Sequence, residues 1–261
     1  MLEISNLRVH FDLNGTIVKA LCGVTFGVGP KETLVVAGES GSGKTVTALT
    51  VTRLLPASAR IISGEIYFDG EDLLSLEEDA LRKVRGKEIA YVFQEPGTFL
   101  NPVYTVGNQI MEPLLLHQGL SRAEAFAEAL RLIALVQIKE GRRVFFSYPH
   151  QLSGGMNQRI GIAMSLACRP RLLIADEPTT SLDVTTESEI LDLLCELKDN
   201  FGFSLLFITH NLSIARRIAD RICVMYKGVV VEEADTERIF SSPRHFHTME
   251  LIQAYQAIGT L

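Results

Sequence analysis

The chain has 261 residues, 47% of them hydrophobic and 21% charged, which suits one large domain or a domain with a subdomain and excludes disorder over most of its length. Its 25 basic and 31 acidic residues leave a formal net charge of -6 with no run of Lys or Arg, so nucleic acid is not expected as a partner. There is no apolar stretch of the roughly 18 residues that a spanning helix needs, no secretory signal, and no close pair among Cys22, Cys168, Cys195 and Cys223; a cytoplasmic chain with reduced, mostly buried thiols is expected.

Residues 2–9, 21–28 and 33–37 are apolar runs separated by Asn14-Gly15 and Gly29-Pro30, and they predict three strands. A glycine-rich segment follows, then residues 46–55, which read as a helix stopped by Pro56. Strand-like residues 65–68 run into Asp69-Gly70, a hairpin signal. The character changes over about residues 95–150: Ser121 and Glu124 form a capping box, and Ala123, Phe126, Ala127, Leu130, Ile133 and Ala134 recur at helical spacing, so a helical insert is expected. Short buried strands return at 172–175, 204–208 and 222–225, with a helix over 188–198. This alternation predicts an α/β fold built on a parallel sheet covered on both faces. The last stretch, 241–261, is too short to be a domain, and its His245 and His247 are expected in solvent rather than on a metal.

Gly38, Glu39, Ser40, Gly41, Ser42, Gly43, Lys44 and Thr45 match the eight-residue phosphate-binding loop and lie between a predicted strand and a predicted helix, the context this pattern requires. Small residues let backbone N–H groups turn inward around phosphate oxygens, and the helix that begins beside Val46 adds the positive end of its dipole. Lys44 would reach the β and γ phosphates and Thr45 would hold Mg²⁺. Residues 172–175 form an apolar strand ending in Asp176 and Glu177: the first carboxylate suits the magnesium shell, the second an attacking water. The Asn-Lys-x-Asp segment of a GTPase is absent.

Leu152, Ser153, Gly154, Gly155, Met156, Asn157, Gln158 and Arg159 make a second anion-ready turn at a helix start, with residues 156–167 reading as helical. A second phosphate turn in one small domain is redundant unless it serves another molecule's nucleotide. At these residues the sequence resembles the ATP-binding cassette (ABC) ATPases, whose signature segment covers the γ phosphate held by a partner subunit. Gln94 matches the family's glutamine loop, Ser181, Leu182 and Asp183 its interface loop, and His210 its switch histidine, while Phe11 is the best match to the adenine-stacking aromatic. Two departures are Asn211, where Asp is common, and Ser181, where Ala is common.

The segments from Gln94 to Pro102 and from Tyr148 to Met156 are similar to those of dipeptide, oligopeptide and nickel importer ATPases. The resemblance implies a P-loop NTPase with a mainly parallel core sheet, an N-terminal antiparallel β subdomain and a helical subdomain. Residues 1–94 and 157–240 would form the core, 95–156 the helical part carrying the signature, and 241–261 a tail. It implies ATP and Mg²⁺ as ligands, with Thr45, Gln94 and Asp176 around the metal, Lys44, Glu177 and His210 as the catalytic set, and Ser153, Gly154, Gly155 and Asp183 acting in trans. No iron–sulfur cluster is expected, because no cysteine follows Cys223. Expected partners are a second ATPase, as a heterodimer, two permease subunits at the cytoplasmic face of the membrane and, indirectly, an extracytoplasmic binding protein. Competing readings are a soluble ABC ATPase of DNA repair or the ribosome, and a non-hydrolysing partner in an asymmetric pair.

Overall fold

A computed structural model describes residues 1–94 and 99–258. Residues 95–98 of the predicted glutamine-loop segment and the terminal 259–261 lie outside the described residues. The chain opens with β1 (Leu2–Leu13), β2 (Thr16–Val28), β3 (Thr33–Ala37), α1 (Lys44–Val51), β4 (Ala59–Phe68), β5 (Glu71–Asp72), α2 (Glu78–Val84) and β6 (Ile89–Val92). There follow α3 (Val106–Gln118), α4 (Arg122–Leu135), α5 (Gly141–Phe145), a 3₁₀ turn (Pro149–Gln151), α6 (Gly154–Leu166), β7 (Leu172–Asp176) and α7 (Val184–Phe201). The last elements are β8 (Ser204–Thr209), α8 (Leu212–Ile218), β9 (Arg221–Tyr226), β10 (Val229–Asp235), α9 (Thr236–Ser241) and α10 (Phe246–Ile258). By contacts the chain divides into two units, Met1–Leu81 with Ser204–Leu261, and Arg82–Phe203.

The first unit holds an antiparallel sheet in the order β2-β1-β4-β5. Leu13 pairs with Thr16 across Asn14 and Gly15, whose φ values are 54° and 85°. Phe68 pairs with Glu71 across Asp69 and Gly70 at 50° and 86°. Both are two-residue turns with two left-handed positions, the geometry whose twist matches paired strands. On β1 the buried positions are Leu2, Ile4, Leu7 and Val9, and the break in the period of two coincides with a register shift between Ile4 and Leu7. The same unit holds β3 between β8 and β9, parallel to both, with β10 antiparallel on β9. All five residues of β3 are buried, as expected of a strand covered on both faces.

Helix α1 ends at Val51 rather than near Pro56. Arg53 takes a left-handed φ of 53°, and Leu54 N–H donates to Leu49 C=O at 2.8 Å, so a Schellman closure stops the helix before the proline is reached. The tail also differs from expectation. Glu232 on β10 accepts hydrogen bonds from the backbone N–H groups of Arg244 and His245 at 2.8 and 2.9 Å, drawing the segment down, and α10 starts at Phe246. His247, expected in solvent, is therefore only 6% exposed and stacks on Tyr226.

The second unit pairs β6 with β7 in parallel, connects them through α3 to α6 with α6 against β6, and continues into α7. The Ser121 capping box forms as predicted: Ser121 accepts from Glu124 N–H, and Glu124 Oε2 accepts from Ser121 N–H at 2.8 Å. Phe126, Phe145 and Phe146 make a cluster of edge-on and tilted rings, and Phe145 lies so close to Gly107 that an added Cβ would be 2.3 Å from it. Of the four free cysteines Cys223 is fully buried and the others half-buried. Among the described residues no helix is long and apolar enough to cross a membrane.

Candidate functional site

Strand β3 ends at Ala37 and delivers the phosphate loop to the start of α1. The loop's turns rest on Gly41 and Gly43, at φ 79° and 103°, conformations costly for residues with a Cβ. Gly38 is required for a different reason: a Cβ there would stand 2.3 Å from the Met225 carbonyl oxygen. Gly43 is the N-cap of α1 and offers no side-chain acceptor, so the first-turn N–H groups are not claimed by a cap. Lys44 is buried at 5% exposure, and its Nζ donates to the carbonyls of Gly38 and Glu39, both at 2.8 Å. The ammonium is thereby held over the loop it closes. Glu39, Ser40 and Thr45 are exposed, Val46 is half-buried and Ser42 is buried. In the same unit Phe11 is half-buried on β1, paired with Val18 on β2 and Ala59 on β4, and His210 is exposed at the end of β8. Asn211 caps α8, accepting from Ser213 N–H at 2.9 Å.

In the second unit β7 carries Asp176 at 6% exposure as its last residue. Glu177 follows with φ 45°, a left-handed backbone that is uncommon for a residue with a long side chain. Its Oε2 accepts from Thr180 Oγ1 at 2.9 Å and from Gln94 Nε2 at 3.3 Å, so the structure brings Gln94 and Glu177 together. Within this unit the Gln94 carboxamide and the Asp176 carboxylate offer hard oxygen donors, the chemistry that Mg²⁺ takes. Among the described residues no cluster of three or more His, Cys, Asp or Glu could hold a metal.

The signature turn is built by Ser153, N-cap of α6, whose Oγ accepts from Met156 N–H at 3.3 Å. Ser153, Gly154 and Gly155 face Ser181, Leu182 and Asp183 across a cavity of about 370 Å³. Asp183 caps α7, accepting from Thr186 N–H at 3.0 Å and Thr186 Oγ1 at 2.7 Å. The backbone hydrogen bond from Thr186 is the leading cause that holds this carboxyl below its usual range. Gly155 lets α6 approach α7, since a Cβ there would be 2.7 Å from Thr186 Cγ2. Sequence reasoning missed the clamp behind this turn. Arg159 is bonded to Val136 C=O at 3.0 Å, Gln137 Oε1 at 3.2 Å and Glu189 Oε2 at 3.0 Å, joining the end of α4, α6 and α7. Its place one turn after the signature was the available signal. A larger cavity of about 630 Å³ is lined by Phe99, Tyr104, Asn108, Leu115, Leu116 and Arg122 among others.

Residues 21–180 match the family profile described as ABC transporter. The chain belongs to the ABC transporter family. It is a cassette of the ABC ATPase class, with the P-loop NTPase fold expected from its sequence. It is 50% identical over 255 residues to the peptidoglycan transport ATP-binding protein YejF of Agrobacterium fabrum, an alignment covering 97% of this chain and 47% of that protein. Against the probable peptide ABC transporter ATP-binding protein y4tR of Sinorhizobium fredii the identity is 47%, covering 97% of this chain and 76% of the relative. The chain thus spans about half the length of the first relative and three quarters of the second. The ATP-binding cassette MJ0796, solved as a dimer in a post-hydrolysis state bound to ADP and Pi, superposes with a TM-score of 0.80 at 30% identity, covering 94% of this chain and all of that one.

Proposed function

We propose that this cassette is the ATP-hydrolysing subunit of an importer for peptide-type solutes, acting at the cytoplasmic face of a membrane. The observation that carries the reading is the phosphate loop, where left-handed glycines and the two carbonyl bonds of Lys44 hold a cationic, N–H-lined turn at a helix start. The relatives named for peptide and peptidoglycan transport support the cargo class, and the dimeric cassette with ADP and Pi supports a head-to-tail pair. A related ATPase as second subunit, two permeases and an extracytoplasmic binding protein complete the assembly.

In this reading Phe11 stacks the adenine, and Gly38, Glu39, Ser40, Gly41, Ser42, Gly43, Lys44, Thr45 and Val46 receive the phosphates. Thr45, Gln94 and Asp176 hold Mg²⁺, which when bound neutralises phosphate charge. Glu177 orients and deprotonates the attacking water, held ready by Gln94 and Thr180, and His210 senses the γ phosphate. Ser153, Gly154, Gly155 and Asp183 face the nucleotide of the partner cassette. Each nucleotide then contributes charge-assisted hydrogen bonds, about 1.5–3 kcal/mol apiece, that exist only in the closed pair and are lost on hydrolysis. The cavity lined by Phe99, Tyr104 and Leu116 receives the permease.

The test is Glu177→Gln in the assembled transporter. Nucleotide binding should persist while phosphate release falls by about 10²- to 10⁴-fold, the range for loss of a general base. Near-normal release would defeat the reading.

A further inference from the structure

The phosphate loop is supported from below by one turn of the chain, residues 225–228. The Met225 carbonyl oxygen lies 2.3 Å from where a Cβ on Gly38 would sit, and the Met225 Cε would be 3.4 Å from a Cβ on Gly43. Met225 Sδ stands 3.9 Å from Thr47 Oγ1 in the first turn of α1. Gly228 N–H donates to the Ser42 carbonyl at 3.0 Å, and the Gly228 carbonyl accepts from Cys22 N–H at 2.8 Å. The turn therefore touches the loop near its start, at its centre and at the helix it feeds.

The side chain at this turn that faces the tail is Tyr226, and what covers it is His247. The two rings lie 4.0 Å apart between centroids at 35°. His247 is fixed from its own side: its N–H donates to His245 Nδ1 at 3.2 Å, and the backbone just before it is tied to Glu232. Its Nε2 is buried without a hydrogen-bond partner. Lys227 stands 4.9 Å from the Tyr226 ring centroid. A continuous path of packed and hydrogen-bonded groups thus runs from the C-terminal helix to Gly38 and Ser42.

We infer that His247 and Tyr226 are positioning residues for the phosphate loop, so that the C-terminal helix sets how tightly the loop holds its nucleotide. The inference rests on the reading of that loop as a nucleotide site. Neither ring belongs to the loop itself. Both act through Met225 and Gly228, and displacement of α10 by a bound partner would loosen the loop without altering any residue of it.

The experiment titrates the purified protein with a fluorescent ATP analogue and measures ATPase kinetics in the assembled transporter. His247→Ala is expected to weaken analogue binding by about 2- to 10-fold, the equilibrium equivalent of one aromatic pair, and to raise KM while leaving kcat unchanged. His247→Phe keeps the ring and removes the unsatisfied nitrogen, and it should restore the affinity. Phe126→Leu in the other unit lowers melting temperature and should leave analogue binding alone. Wild-type binding by His247→Ala, failure of His247→Phe to restore it, or an equal loss in Phe126→Leu would each overturn the inference. If His247→Ala does not fold, Tyr226→Leu takes its place with the same expected and overturning results. Lys44→Ala separates the two levels: if it binds the analogue as wild type does, the nucleotide-site reading itself has failed.

Discussion

Replacing Gly155 by alanine puts a methyl group into the contact between the signature helix and α7. The new Cβ would stand 2.7 Å from Thr186 Cγ2, whereas carbon atoms in contact prefer about 3.5–4.0 Å, so the two helices must separate by about 1 Å or Thr186 must rotate. Rotation is obstructed, because it would break the hydrogen bond that Thr186 Oγ1 donates to Asp183 Oδ2 at 2.7 Å. Overpacking of this kind costs about 1–3 kcal/mol, and alanine recovers up to about 1 kcal/mol of helix propensity. The expected net destabilisation is about 1–2 kcal/mol, read from urea unfolding at fixed m-value. Thr186→Ser removes the clashing methyl and keeps the hydroxyl, so the double variant should regain most of the loss. Gly154→Ala is the internal control: its nearest neighbour would be Leu182 Cδ2 at 3.7 Å, an ordinary contact, and stability should move by less than about 0.5 kcal/mol. A Gly155→Ala protein as stable as wild type, or one that Thr186→Ser leaves unimproved, would refute the close-approach argument. Phosphate release should follow the same pattern, because the displaced helix carries Ser153.

Other expectations test separate parts of the chain. Gly38→Ala has no room beside the Met225 carbonyl, and its analogue binding should be lost while circular dichroism stays native. Ser121→Ala removes the Oγ that accepts from Glu124 N–H, leaving the backbone half of the capping box, and should cost about 1 kcal/mol in urea unfolding. The Asp183 carboxyl is held below its usual range, so its capping contribution is present above that range and is lost as pH falls through the lowered folded value. The unfolding midpoints of wild type and Asp183→Ala should therefore differ at neutral pH and converge in acid. Burial pushes the Cys168 thiol up to about 11, so alkylation of the native protein should stay slow at mildly alkaline pH and quicken as that value is approached. Fast labelling near neutrality would contradict the burial.

What could be read from sequence divides by the range of the interactions involved. The turns at Asn14-Gly15 and Asp69-Gly70, the Ser121 box and the phosphate loop are all decided within a few residues, by left-handed backbone and by caps, and each appears where the residues placed it. The end of α1 is also local but rests on Arg53 in a conformation usually taken by glycine, so no breaker marked it before Pro56. Strand β10 was not foreseen because its acids hide the pattern. Arg221 bonds to both Glu233 on the neighbouring strand and Glu32, and the second pairing links residues 189 positions apart in the chain.

The candidate site shows the same division more sharply. Glycine spacing announces phosphate chemistry by itself, and the acids at the end of β7 take a metal role only in its company, while the signature turn became a site only by resemblance, since a serine cap on a helix is commonplace. Arg159 had only its place beside the signature to mark it, and nothing in the sequence marked His247 as buried. Arg159 is a clamp because Val136 and Glu189 come to it from other helices, and His247 is buried because Glu232 binds the backbone just ahead of it. Residues that touch a phosphate must have particular local chemistry and can be recognised singly. Residues that hold those residues in place need only the right neighbours, which many side chains satisfy, so their roles become visible once the packing is known.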